Sequence, residues 1–152
     1  AWPKVIFPAG KITFGQALEV LPFGNYLVVL SLTGEQILAA LENGVSQVES
    51  VAGRFPHVAG LRFTWDPAQP AGQRIVSAEV LTEDGFKPIR KTSTYKVVTN
   101  NFLASGGDGY DVFRQAKETT ILAFVEAEVL AEYLRTHSPV SPEVEGRILE
   151  KR

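Results

Sequence analysis

The sequence predicts an α+β fold, a mixed β-sheet layered with α-helices, and three observations carry that prediction. Apolar, β-branched runs of strand length stand at 25–32, 61–66 and 94–100, and a hairpin of two such runs at 74–89. Helix-start signals open at Thr13 and Thr33, and a longer apolar period occupies 121–135. At 152 residues and 45% hydrophobic composition, the chain suits one domain, burying roughly two-thirds of its unfolded surface.

The opening AWPKVIFPAGKI, with two prolines and a glycine, reads as irregular chain. In TFGQALEVL, Gln16 lies three residues after Thr13, the spacing of a capping box, so a short helix is expected until Pro22. NYLVVLSL (25–32) is almost wholly apolar, which suits a strand buried on both faces. Thr33 and Gln36 form a second capping box, with Ile37, Leu38, Leu41 and Val45 on one face of a helix expected to reach about Val48. VAGRFPHVAG (51–60) is loop, and LRFTWD (61–66) alternates with period two before the turn-rich PAQPAGQ. RIVSAEVLTEDGFKPI reads as a hairpin turning at Asp84-Gly85, and TYKVVTN (94–100) as another strand. YDVFRQA is expected to form a short helix. ILAFVEAEVLAEYLR is expected to form a longer one, with Leu122, Val125, Val129 and Tyr133 inward. SPVSPEVEG is an exposed link, and RILEKR a last strand.

Composition excludes several functions. A net charge of −2 provides no basic field for a phosphate backbone, so no nucleic acid polymer is expected as partner. The longest apolar stretch, around YLVVLSL, is far short of the roughly 20 residues that cross a bilayer, so no membrane span is expected. Cysteine is absent, which removes disulfides, thiolate nucleophiles and Cys-based zinc sites. His57 and His137 are the two histidines and read as isolated loop residues, so no metal site is expected here. No G-x-S-x-G or Ser-His-acid arrangement is present, and no catalytic residue is assigned.

The informative stretch is TNNFLASGGDGYDVF (99–113), a strand, a glycine-rich loop and a helix. GGDG lacks the P-loop Lys and the dinucleotide-fold spacing, and reads either as a left-handed turn or as a loop whose N–H groups face a ligand. Phe102 beside three glycines needs the core or the flat face of a ligand. Phe23, in LPFGN, reads alone as a helix stop with a staple-like core contact. Together the two rings could form a stacking clamp, worth roughly 1 to 3 kcal/mol per base. Asp108 is placed either to accept from vicinal ribose hydroxyls or to cap the helix that follows.

EVLPFGN, LTGEQILAALENG, AGLRFTWDPAQPAGQRI, YKVVTNNFLASGGDGY and the tail EGRI resemble, in order, the C-terminal domain of the 5′-nucleotidase family, which includes UDP-sugar hydrolases and 2′,3′-cyclic phosphodiesterases. The resemblance implies that 1–152 is a single substrate-binding domain, inactive alone, of an enzyme that dephosphorylates nucleoside 5′-phosphates or related nucleotides. It implies no cofactor here and two divalent metal ions in a separate N-terminal metallophosphatase domain, the chain's intramolecular partner, which is absent from this sequence. A hinge at or before Ala1 and a periplasmic, secreted or cell-surface location are also implied. Carried over, Phe23 and Phe102 sandwich the base, Asp108 accepts from the ribose, and Asn101 and Gly107 are framework or near-ligand positions. The family's N-G-G-x-x-R segment before P-A-G-x-I-T is truncated or diverged here, leaving Lys4 as the phosphate candidate. The rival functions are a stand-alone nucleoside-binding module and a degenerate dimerisation or scaffold domain.

Overall fold

The computed structural model describes residues 7–151, so Lys4 and the hinge expected near Ala1 lie outside the described residues. Among the described residues seven strands form two sheets. The first is antiparallel, with β1 (Tyr26–Thr33) between β5 (Thr94–Asn100) and β6 (Glu118–Val125). The second runs in the order β4 (Gly85–Pro88), β3 (Ile75–Thr82), β2 (Leu61–Trp65), β7 (Ile148–Glu150), and its parallel β2–β7 pair makes it mixed. The fold is α+β, with paired strands on both sides of β1 leaving Leu30, Ser31 and Leu32 successively buried.

Both capping boxes form. Thr13 and Gln16 exchange hydrogen bonds at the start of α1 (Phe14–Val20), and Thr33 and Gln36 at the start of α2 (Gly34–Gly44). Each pair satisfies two backbone N–H groups that a helix start leaves unpaired. α2 delivers Ile37, Ala40, Leu41 and Val45 into one apolar cluster with Leu30 and Leu32 of β1 and Phe63 and Trp65 of β2. It ends at Gly44, four residues before the expected end near Val48, because the chain there meets another segment. A Cβ on Gly44 would stand 2.7 Å from Pro56 and 2.9 Å from the Tyr110 hydroxyl. The freed carbonyls find other donors, Ser46 Oγ on Asn43 O at 2.6 Å and Arg74 Nη1 on Val45 O at 2.6 Å.

Three further expectations are corrected. The hairpin turns at Glu83–Asp84, one residue early, with Thr82 paired to Gly85; the glycine is the residue that takes a positive φ, 96°. Residues 118–125 are strand, not the first turns of a helix, and α4 covers Glu126–His137. β1 has two edges to satisfy, and the second pairs Val28 with Ile121 and Leu30 with Thr119, which overrides the helical spacing of the apolar residues. Accordingly Val129 and Tyr133 are exposed, and the buried residue of α4 is Ala127, on a helix that packs against α1 and its buried Ala17. His137 closes this helix and does not lie in a loop.

Candidate functional site

The site lies where the loop after α1, the segment 53–58 and the chain leaving β5 border a cleft of about 630 Å³. Phe23 follows the stop of α1, beside Gly24 with its φ of 63°, and is 69% exposed on the cleft wall. The staple-like core contact is therefore not made. Phe102 lines the same cleft and is 46% exposed.

The motif after β5 is more folded than a loop. Asn100 Oδ1 accepts from Leu103 N at 2.9 Å and starts α3 (Asn101–Ala104), and two 3-10 turns follow at Gly107–Gly109 and Asp111–Gln115. Asn101 Oδ1 accepts the Tyr26 N–H at 2.9 Å, tying the start of β1 to the motif. Each glycine of the loop has a side chain lying on it. A Cβ on Gly106 would stand 2.6 Å from the Arg114 guanidinium. On Gly107 it would stand 2.5 Å from the Phe102 ring, and on Gly109 2.8 Å from Asn43 Oδ1. The glycines are thus places where other groups approach the backbone, and the Phe102 ring rests on Gly107.

Asp108 is the residue of GGDG with a side chain. It holds a left-handed backbone, φ 52° and ψ 28°, and is exposed at the cleft. Neither 3-10 turn has a side-chain cap, so Asp108 does not cap the following turn. No hydrogen bond to its carboxylate is made by a described residue, whereas its backbone carbonyl accepts from Asn43 Nδ2 at 3.1 Å.

Sequence reasoning passed over Asn43, Arg54 and Tyr110. Arg54 lines the cleft and donates from Nη1 to Asn43 Oδ1 at 3.0 Å, while its carbonyl accepts from the Tyr110 hydroxyl at 2.7 Å. Burial, and secondarily the negative charge of Asp108, push the Tyr110 phenol up to about 12, with Arg54 opposing, so Tyr110 stays a neutral donor. The Asn43-Gly44 pair was a readable helix-end signal; nothing local marks Arg54. His57 also lines the cleft, edge-on to Phe55 at 6.3 Å between centroids.

Among the described residues no group of three or more His, Cys, Asp or Glu is placed to hold a metal ion. No helix among them is long and apolar enough to cross a membrane. The cleft presents two partly exposed rings, a carboxylate and a guanidinium. These can stack on a flat ligand and accept or donate hydrogen bonds at its polar edge.

The family model described as 5′-nucleotidase, C-terminal domain, matches residues 3–115. The chain is 46% identical over 143 residues to the trifunctional nucleotide phosphoesterase protein YfkN of Bacillus subtilis, covering 93% of this chain and 10% of that protein. It is 31% identical over 143 residues to the snake venom 5′-nucleotidase of Macrovipera lebetinus, covering 91% of this chain and 35% of the relative. The solved 5′-nucleotidase precursor from Thermus thermophilus superposes with a TM-score of 0.90 at 51% identity, over 91% of this chain and 28% of that one. The chain thus spans about a tenth to a third of the length of the proteins it matches. With the family pattern covering three-quarters of its residues and the same backbone found in a 5′-nucleotidase precursor, the chain belongs to the 5′-nucleotidase C-terminal domain family.

Proposed function

We propose that this chain is the nucleotide-recognition domain of a 5′-nucleotidase-like hydrolase that dephosphorylates nucleoside 5′-phosphates. A base stacks between Phe23 and Phe102, the Asp108 carboxylate accepts from the ribose hydroxyls, and Asn101 and Gly107 hold the loop. The observation that carries this reading is the shared cleft. Two large apolar side chains, far apart in sequence, are exposed on it beside a carboxylate that no described residue hydrogen-bonds. An aromatic side chain left this open toward a concave surface has a flat partner to gain.

In this reading the catalytic work belongs to a separate metallophosphatase domain of a longer parent protein, and Lys4, with whatever precedes it, is the candidate phosphate contact. The relatives' names support a nucleotide phosphoester as substrate, and the venom relative supports a secreted, periplasmic or cell-surface location.

The test is titration of the 152-residue chain with adenosine, AMP and UMP, repeated on Phe23→Ala. The expected result is binding of all three, tolerant of base, weakened by about 1 to 3 kcal/mol in the variant with an unchanged melting temperature. Phe23 is too exposed for its removal to open a cavity. Absence of binding to all three ligands would overturn the reading in favour of a scaffold role.

A further inference from the structure

We propose that Asn43 and Arg54 are positioning residues that aim the Asp108 carboxylate at the ribose, an inference that rests on the recognition reading above. Asp108 is a non-glycine residue in the left-handed region, at φ 52° and ψ 28°, a conformation that few residues with a side chain adopt, Asp more readily than most, and that a hydrogen bond to its own peptide helps to hold. The holding group is Asn43, at the end of α2 and 65 positions away, whose Nδ2 donates to the Asp108 carbonyl. An Asn amide can be turned either way, and here its orientation is set from the other side. Arg54 Nη1 can only donate, so the atom it meets at 3.0 Å is Oδ1, which leaves Nδ2 facing Asp108.

The link closes through a third segment. The Tyr110 hydroxyl donates to the Arg54 carbonyl at 2.7 Å, and its buried ring stacks on Phe113 at 5.1 Å. Gly44, beside Asn43, leaves room for that hydroxyl, and Gly109, beside Asp108, leaves room for the Asn43–Arg54 pair. Three pieces of chain, 43–44, 54 and 108–110, are therefore locked by three hydrogen bonds around the peptide that follows Asp108. The side chain departs from the Cα carrying that peptide's carbonyl. Releasing the carbonyl lets the backbone leave the left-handed region and swings the carboxylate with it. A misplacement of about 1 Å is enough to lose a directional hydrogen bond.

Comparing adenosine with 2′,3′-dideoxyadenosine isolates this contribution, since the second keeps the base and lacks both hydroxyls. By calorimetry the unaltered chain is expected to prefer adenosine roughly tenfold, the size of a hydrogen bond to a charged acceptor. Asp108→Ala should abolish the preference without changing dideoxyadenosine affinity. Asn43→Ala should cut it to less than about threefold, again with dideoxyadenosine affinity retained. Arg54→Ala should act in the same direction, and Arg54→Lys, which keeps a donor, should restore most of the preference. If Asn43→Ala fails to fold, Asn43→Asp keeps an acceptor for Arg54 and puts an acceptor where the donor to Asp108 stood, with the same expected loss. A folded Asn43 variant that retains the full preference overturns this proposal while leaving the base clamp intact. An unaltered chain that binds neither nucleoside overturns the recognition reading, and this proposal with it.

Discussion

Replacing Gly107 by alanine separates a ring that stacks from a ring that packs. A Cβ at Gly107 would stand 2.5, 2.6 and 2.7 Å from Cζ, Cε1 and Cδ1 of Phe102, where ordinary contact begins near 3.4 Å. The ring must therefore move by roughly 1 Å. Gly107 does not hold a left-handed φ, so alanine meets no backbone strain there. Phe102 is half in solvent, so its ring can swing away without leaving a cavity. Replacing glycine at a compatible φ stabilises by about 0.4 to 1 kcal/mol through the unfolded chain, which offsets the lost ring contact. The net change in stability is expected to stay below about 1 kcal/mol, or about 4 °C in melting temperature for a chain of this size. Affinity for adenosine, by contrast, should fall by the stacking contribution of about 1 to 3 kcal/mol, or about 5- to 150-fold. Calorimetric titration and a thermal melt read the two quantities separately. The mechanism is specific, because the substitution acts through Phe102 alone. The double variant Gly107→Ala/Phe102→Ala should bind as weakly as Phe102→Ala and no weaker. Additive losses in the double variant, or adenosine affinity unchanged in Gly107→Ala, would refute the argument that the glycine exists to seat the ring.

Gly34→Ala is the contrasting case: the added Cβ would lie 2.2 Å from the backbone carbonyl oxygen of Arg90, which cannot swing aside, so a loss of about 1 to 3 kcal/mol in denaturant melts is expected. A variant melting like the unaltered chain would show that the 89–91 segment yields freely. A pH-dependent effect is expected at Asp66, whose carboxyl is held below the ordinary range by the hydrogen bond from Lys151 Nζ at 3.0 Å and by the Ala68 N–H at 2.9 Å. Its folded value is depressed, so its stabilisation is complete above the unfolded value and is lost as pH falls through the lower folded one. Asp66→Asn should therefore melt lower than the unaltered chain at pH 7, and the gap should close as pH drops below about 4; a gap independent of pH would exclude this origin.

Much of the scaffold of the site was legible because its signals are local. Thr13 with Gln16 and Thr33 with Gln36 are contacts between residues three apart, and a three-residue spacing is visible in a string of letters. The run from Asn25 to Leu32 announced a buried strand by its composition alone, and β1 covers Tyr26–Thr33. The glycine-rich motif announced an unusual backbone, and Gly106, Asp108 and Gly109 all take positive φ. Residues 121–125 misled because Ile, Leu, Phe and Val satisfy a helical period and a strand equally well; the choice was made by β1, some ninety residues earlier. The same limit hid Asn43 and Arg54, whose roles consist of hydrogen bonds to each other and to Asp108 across loops of unrelated sequence.

By itself the sequence determined where α1 and α2 begin, which run is the central strand, and which residues are chemically able to stack or to accept from a sugar. Those properties depend on neighbours within a few positions and on side-chain type. Only the tertiary structure decided that 118–125 pairs with β1, that α2 stops at Gly44 against Pro56 and Tyr110, and that Phe23, Phe102 and Asp108 border one cleft. Strand partners, close backbone approaches and the walls of a cavity are relations between distant segments. They are set by which surfaces are left to cover and which backbone groups are left to pair once the chain has collapsed.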